Sequence, residues 1–400
     1  MIKRRWQTCK LFLGILITLT FFYGWYQKVD DIVDLETCPA CYGQTLCSTL
    51  VGHEEPLSER LQLTSFSKWK IMNLMNVKNV FYGKMRDVPV VLKKLAHNSE
   101  LNDFDEKLCK TAEQPENCSI SQALKVLLAK DGQDVLQVVS KYPDLFQASD
   151  AVKCNHSRTV EVLYESFKKT DRGPYHQHHF LTMLAVNIEP LVIMTYHSNF
   201  FPRFIGTCGR VIVEDYVGPT LTEQGDEPWI VRADYARQLL EMAQQFSSGT
   251  FALYLTDVSL DNFAVGDDGS VKVIDAENIV IVDTTSRGLN VTEHVNDGFG
   301  CADCLSFSYE DLCGHVSSDH NFYAVCKGML SSSAFSEDLP QGLLHSPPIW
   351  LIKKFPELFP LVEKCGHHPL NNPNKPTPNR RAAARDLHTL LVNIIEQYYT

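Results

Sequence analysis

The chain has no surplus of positive charge: 37 Lys and Arg stand against 48 Asp and Glu, a formal net charge of −11. Residues 1–28 hold Lys3, Arg4, Arg5, Lys10 and Lys28 and no acid, so residues 29–400 carry −11 − 5 = −16. That sign excludes nucleic acid, or an anionic membrane, as the main partner of the folded part. No internal repeat is visible, which excludes an array of stacked modules. No charge interrupts residues 11–26, LFLGILITLTFFYGWY, and no small-x-small cleavage site follows, because Phe22, Tyr23, Trp25 and Tyr26 occupy the exit. The basic Lys3-Arg4-Arg5 before this run favours a cytosolic N-terminus. An uncleaved signal anchor is therefore expected over a cleaved signal peptide. Sixteen residues suit a thin early-secretory membrane.

Cysteine, by contrast, is plentiful. Of thirteen, Cys9 precedes the apolar run and twelve follow it: Cys38, Cys41, Cys47, Cys109, Cys118, Cys154, Cys208, Cys301, Cys304, Cys313, Cys326 and Cys365. An even number beyond an anchor suits disulfides in an oxidising compartment. Cys326, within FYAVC, is the one best placed to stay a free core thiol. Three glycosylation sequons, at Asn117, Asn155 and Asn290, lie on the same side. Cys38-Pro39-Ala40-Cys41 and Cys301-Ala302-Asp303-Cys304 have the spacing of a zinc or thioredoxin-like motif, but structural disulfides explain them more simply. HQHH at 176–179 cannot turn all its rings to one ion and reads as a solvated loop.

At 400 residues, 44% hydrophobic and 21% charged, the chain can bury one large core or two modest ones. Residues 29–65 form a Cys-containing lead-in. Strands follow at NVKNVFYGKM and VPVVLKKL, with a turn at Arg86-Asp87. Residues 96–175 are polar, with three cysteines and two sequons, and read as an insertion. Helical stretches HFLTMLAVN and PLVIMTYH precede two more strands, RFIGTCG and RVIVEDYVG. In PWIVRADYARQLLEMAQQFSSG, Ala236, Leu239, Leu240, Ala243 and Phe246 share one helical stripe and Gly249 ends it. NRRAAARDLHTLLVNIIEQYY is another strong helix. This order predicts an α+β protein of two lobes with a cleft between them.

The chemistry concentrates in LYLTDVSLDNFAVGDDGSVKVIDAEN, residues 253–278. Asp257 comes first, Asn262 five residues later, and Asp275 eighteen after Asp257, at the end of a strand over 271–274. Gly266-Asp267-Asp268-Gly269 between them is a hairpin turn signal. A hairpin alone requires none of these three side chains, each able to hold a metal or a proton.

These residues resemble a protein kinase, whose catalytic loop H-R-D-x-x-x-x-N is followed by D-F-G. The chain is more closely similar to the divergent protein kinase domain 2 family, the deleted-in-autism protein family of the secretory pathway. CPACYG, NLMNVKNVFY, VVLKKL, EPLVIM, FIGTCGR, LYLTDVSLDNFAVG, VIDAENIVIVD, CLSFS and DHNFYAVC carry this resemblance over residues 38–330. It implies a two-lobed kinase-like fold with an N-lobe over 66–213, interrupted by the insertion at about 96–175, and a C-lobe over 214–400. It implies that Asp257 accepts the substrate hydroxyl proton, that Asn262 and Asp275 hold Mg²⁺ or Mn²⁺, and that Lys93 contacts the α and β phosphates of ATP. Glu189 is the favoured partner of Lys93, with Glu100 the rival, and Glu214 lies near the nucleotide at the hinge. Asp319 would be the buried acid of the supporting helix, and Arg380 or Arg381 the Arg of the last helix.

Three departures from the kinase pattern stand out. No G-x-G-x-x-G precedes Lys93, where only Gly83 is offered. Leu255-Thr256 replaces His-Arg before Asp257, and Ala276-Glu277 replaces Phe-Gly after Asp275. Glu277 adds a carboxylate there, as a further metal ligand or as an obstacle. The expected function is phosphate transfer from Mg-ATP to a secreted or lumenal substrate. The alternative is a pseudokinase acting as a secreted or Golgi-resident binding protein for a secretory-pathway protein or cell-surface receptor. A membrane is a partner through the N-terminal anchor, and nucleic acid is not a partner.

Overall fold

A computed structural model describes residues 27–35, 41–52, 60–69, 79–146, 153–154, 157–196, 199–296, 305–332, 334, 341–367 and 379–399. The apolar run at 11–26, read as a signal anchor, lies outside the described residues, among which no single helix is long and apolar enough to cross a membrane. The chain divides into two compact units. One comprises Met1–Val126, Gly173–His179 and Phe204–Tyr216; the other comprises Leu127–Arg172, Phe180–Arg203 and Val217–Thr400. The polar segment 96–175 is thus divided between the units.

The first unit is built on a five-stranded antiparallel sheet ordered β1-β2-β3-β5-β4. Its strands are β1 (Gln62–Leu63), β2 (Val80–Met85), β3 (Val88–Lys94), β4 (Phe204–Cys208) and β5 (Val211–Asp215). Arg86 and Asp87 both have positive φ, 51° and 63°. That is the twist a two-residue hairpin loop needs, and it sets the register Met85↔Val88 through Val80↔Lys93. Leu61, Leu63, Phe81, Val90, Leu92, Val211 and Val213 form one buried face, closed by Ile32, Val33 and Leu50 of the lead-in.

The lead-in docks along β4 through its backbone. Tyr42 N–H donates to Gly209 O at 2.9 Å, Gly209 N–H to Gly43 O at 3.0 Å, and Leu46 N–H to Thr207 O at 2.9 Å. Gly43 has φ +139°, and a Cβ there would sit 2.0 Å from Thr207 Oγ1, so the close approach requires glycine. The Cys47–Cys208 disulfide clamps the same edge. Arg210 in the β4–β5 turn is buried and pairs with Asp105 of the helix Asn98–Thr111. A second bridge, Cys109–Cys118, closes the end of that helix.

The second unit carries two small antiparallel pairs, β6 (Phe251–Leu255) with β9 (Ile279–Asp283) and β7 (Phe263–Val265) with β8 (Val271–Val273). Around them lie the helices Trp229–Phe246, His320–Val325, Leu358–Cys365 and Arg380–Tyr399. Leu239, Leu240, Ala243 and Phe246 of the first are buried, as their spacing predicts. Ala252, Tyr254, Val280 and Val282 of β6 and β9 pack with Leu312 and with the Cys154–Cys313 bridge. Arg158, at the start of the helix Ser157–Thr170, reaches both oxygens of Asp283 through Nη1, at 3.1 and 3.2 Å. A bridge and an ion pair therefore hold Cys154 and Arg158 beside β9.

Cys326 is not a free core thiol. It opens a π-helical turn, Cys326–Leu330, that continues the helix His320–Val325 and brings its sulfur to Cys365, with the Cα atoms 5.7 Å apart. All nine described cysteines, from Cys41 to Cys365, are disulfide-bonded. Cys38, Cys301 and Cys304 lie outside the described residues.

Candidate active site

β6 delivers the chain to Asp257, and two buried polar residues, Asn321 and His320, hold its end. Leu255 N–H donates to Asn321 Oδ1 at 2.9 Å, and Asn321 Nδ2 donates to Leu253 O at 2.8 Å. His320 Nε2 meets Leu255 O at 2.8 Å. A carbonyl can only accept, so Nε2 carries the proton and Nδ1 accepts from Asn296 Nδ2 at 2.8 Å. Burial pushes the His320 imidazole down to about 4, against the Leu255 carbonyl, which pulls the other way; the neighbouring His294 and Arg380 lower it further. The ring is therefore a fixed, neutral strut.

Asp319 precedes it. One of its oxygens accepts from Asn296 N–H at 2.8 Å and the other pairs with Arg380 Nη1 at 2.7 Å, both side chains being buried. Burial raises the Asp319 carboxyl, and Arg380 opposes that rise. Between the two arginines left open by the sequence, the structure puts Arg380 on the buried acid, while Arg381 pairs with the partly exposed Glu293.

Beyond β6, Asp257 is exposed and Asn262 is buried in a single 3₁₀ turn, Leu260–Asn262. Asn262 Nδ2 donates to Asp257 O at 3.3 Å, and Asn262 O accepts from Ile274 N–H at 2.9 Å. One residue thus ties the loop bearing Asp257 to the strand end bearing Asp275. The β7–β8 hairpin closes through Gly269, at φ +78°, and Gln238 of the helix Trp229–Phe246 braces it, donating to Gly269 O at 2.9 Å and accepting from Val271 N–H at 2.8 Å.

After Asp275 the chain is held again. Ala276 N–H donates to Glu189 Oε1 at 3.2 Å, and Glu277 Oε2 accepts from Asn187 Nδ2 at 2.8 Å. Glu189 is buried at the start of the helix Glu189–Tyr196, with its own N–H on Asn187 Oδ1 at 2.9 Å. In the first unit, Lys93 Nζ lies 3.2 Å from Glu214 Oε2, with both side chains largely buried. Glu100 is used locally: it takes the His97 N–H at 2.7 Å in a capping box.

Among the described residues no group of three or more His, Cys, Asp and Glu side chains converges on a metal position. The Asp275 carboxylate and Asn262 amide oxygen are nevertheless the hard donors that Mg²⁺ takes beside substrate phosphates. HQHH is not a solvated loop: it opens the helix His176–Val186, with His178 and His179 buried. Burial pushes the His178 ring down to about 4.

The chain matches the family model described as the protein-kinase domain of FAM69 over residues 181–367. It is 34% identical over 391 residues to divergent protein kinase domain 2A of Xenopus tropicalis, covering 90% of this chain and 87% of that protein. The human 2A protein is 34% identical over 417 residues, covering 96% and 93%. Human divergent protein kinase domain 2B is 25% identical over 340 residues, covering 80% and 76%. The chain belongs to the divergent protein kinase domain 2 family.

Several of the residues that hold this family member's loop in place escaped the sequence reading. Glu214 was read as a nucleotide contact at the hinge; its pairing with Lys93 depends on the β3–β5 register, Val91↔Glu214 and Lys93↔Ile212, which no local pattern encodes. Asn321, Asn187 and His320 carry no spacing signal. The one available hint was polar residues crowded into an otherwise apolar helix, DHNFYAVC.

Proposed function

We propose that this family member is a secretory-pathway kinase-like protein that transfers the γ-phosphate of ATP to a hydroxyl of a secreted or lumenal substrate. The observation that carries this reading is Asn262, which bonds Asp257 O and Ile274 N–H at once and so preorganises Asp257 and Asp275 relative to each other. In the step, the substrate oxygen bonds to the γ-phosphorus as the bond to the β–γ bridging oxygen breaks. The hydroxyl proton goes to the exposed Asp257 carboxylate, and ADP leaves. Asn262 and Asp275 would hold Mg²⁺ or Mn²⁺, which neutralises the phosphate charge when bound. Lys93, paired with Glu214, would take the α and β phosphates. Glu189 serves by fixing the Ala276 amide beside Asp275.

The test is a thermal shift with Mg- or Mn-ATP. Wild type is expected to be stabilised and Asp275→Ala is not; an equal shift in both means that the nucleotide is not bound through this site.

One observation favours the second reading, a pseudokinase acting as a binding protein. Gly83, the glycine offered before Lys93, sits inside β2, where a Cβ would lie 3.0 Å from Gln62 O of β1. It serves sheet pairing there, not a phosphate cradle. On this reading Asp257→Ala retains biological activity; loss of activity in a folded variant excludes it. A lumenal or Golgi location fits the nine bridged cysteines. It also fits the exposed sequon residues Asn117 and Asn290, whose glycans a glycosidase mobility shift would reveal.

A further inference from the structure

Ala276-Glu277 stands where kinases carry Phe-Gly, and the departure has a structural use. Asn187, Glu189, Ala276 and Glu277 form a ring of three hydrogen bonds closed by the Ala276–Glu277 peptide link. Glu189 N–H donates to Asn187 Oδ1 at 2.9 Å, Ala276 N–H to Glu189 Oε1 at 3.2 Å, and Asn187 Nδ2 to Glu277 Oε2 at 2.8 Å. The amide orientation follows from chemistry: a backbone N–H can only donate, so Oδ1 faces Glu189 and Nδ2 faces Glu277. On the other side of Asp275, Ile274 N–H is held by Asn262 O at 2.9 Å. Residues 274, 276 and 277 are thus each tied down, and turning over the peptide between Asp275 and Ala276 breaks the Ala276–Glu189 bond.

We infer that Asn187 and Glu277 are a built-in lock on the Asp275 turn, with Asn187 a positioning residue for Asp275. This deepens the nucleotide-binding reading above and rests on it. A purely structural role for Asn187 would be to cap the helix Glu189–Tyr196, which uses Oδ1 alone. Asp caps as well as Asn, so capping gives no reason for the amide nitrogen. The lock does: Glu277 is exposed while Asn187 and Ala276 are buried, so a surface carboxylate is held by an interior donor.

That difference supplies the experiment. Asn187→Asp keeps the cap but sets one carboxylate against another; adding Glu277→Gln restores the hydrogen bond with donor and acceptor exchanged. Amide exchange of the 274–278 segment is measured on the full chain without nucleotide, alongside the Kd for Mg-ATP. N187D is expected to exchange roughly tenfold faster, the scale of one charge-assisted hydrogen bond, with Kd weakened by a similar factor. N187D/E277Q is expected to return both to within about twofold of wild type. Unchanged exchange in N187D, or no rescue in the double variant, overturns the lock. Weak Mg-ATP binding in E277Q with unchanged exchange of the 274–278 segment also overturns it, by making Glu277 a metal ligand. If wild type binds no nucleotide, the nucleotide reading falls while the exchange data still decide the lock.

Discussion

His320 illustrates how one side chain can set a pH limit. Its folded value, about 4, lies below its ordinary 6.5. The unfolded chain therefore binds the proton that the folded chain refuses. The stability this neutral ring contributes is fully present above pH 6.5, is lost as pH falls, and levels off near 4. One such group corresponds to on the order of 3 kcal/mol across that window. The melting temperature of wild type should fall from pH 6.5 to 4 more steeply than that of His320→Gln; equal slopes would mean that the ring is not the titrating group. His178, pushed down in the same direction, adds to the background slope of both proteins. Two neighbouring arginines give a contrast in magnitude. Arg380→Ala leaves Asp319 buried without its counter-ion and should cost about 3–5 kcal/mol. Arg381→Ala removes a pair open to water and should cost about 0–1 kcal/mol. Denaturant midpoints for the two variants check this, and equal losses would show that burial does not separate them.

At the scale of elements, short connections make long-range structure. The CPACYG stretch reads as a Cys motif, yet the role of Gly43 is steric: it lets the lead-in lie on Thr207 of β4. Gly43→Ala combines a collision with a positive φ and should cost on the order of 1–3 kcal/mol by urea unfolding. A variant as stable as wild type would mean that the lead-in does not dock there. Cys154–Cys313 spans 159 residues and joins the inserted segment to the helix Tyr309–Gly314, behind β6 and β9. Replacing both cysteines with Ala should cost about 2–4 kcal/mol and raise amide exchange selectively in β9. The elements themselves were legible. The helix Arg380–Tyr399 and strands β2 to β5 lie where periodicity and turn residues put them. The exceptions are instructive: HQHH looked polar enough for a loop, but the apolar FLTMLAV that follows draws it into a buried helix.

For the whole molecule, the redox prediction is the strongest. Nine described cysteines are bridged, so thiol counting by mass spectrometry, under denaturing and non-reducing conditions, should find few reactive sulfurs among the twelve beyond the apolar run. Eight or more would remove the main support for an oxidising compartment. Read alone, the sequence carried the family resemblance in its motifs; it determined the α+β class and the order of strands and helices, because these are written in local periodicity, and it set Asp257, Asn262 and Asp275 at fixed spacing along one strand-turn-strand unit. Only the tertiary structure decided that Arg380 meets Asp319, that Glu214 lies beside Lys93, that Glu189 accepts from the Ala276 amide, and that Cys326 meets Cys365. Those choices depend on strand register, helix phase and the depth of each side chain, set by packing between segments far apart in the chain. A buried polar group takes the partner that packing brings within hydrogen-bond reach, and its own sequence neighbourhood does not encode which partner that is.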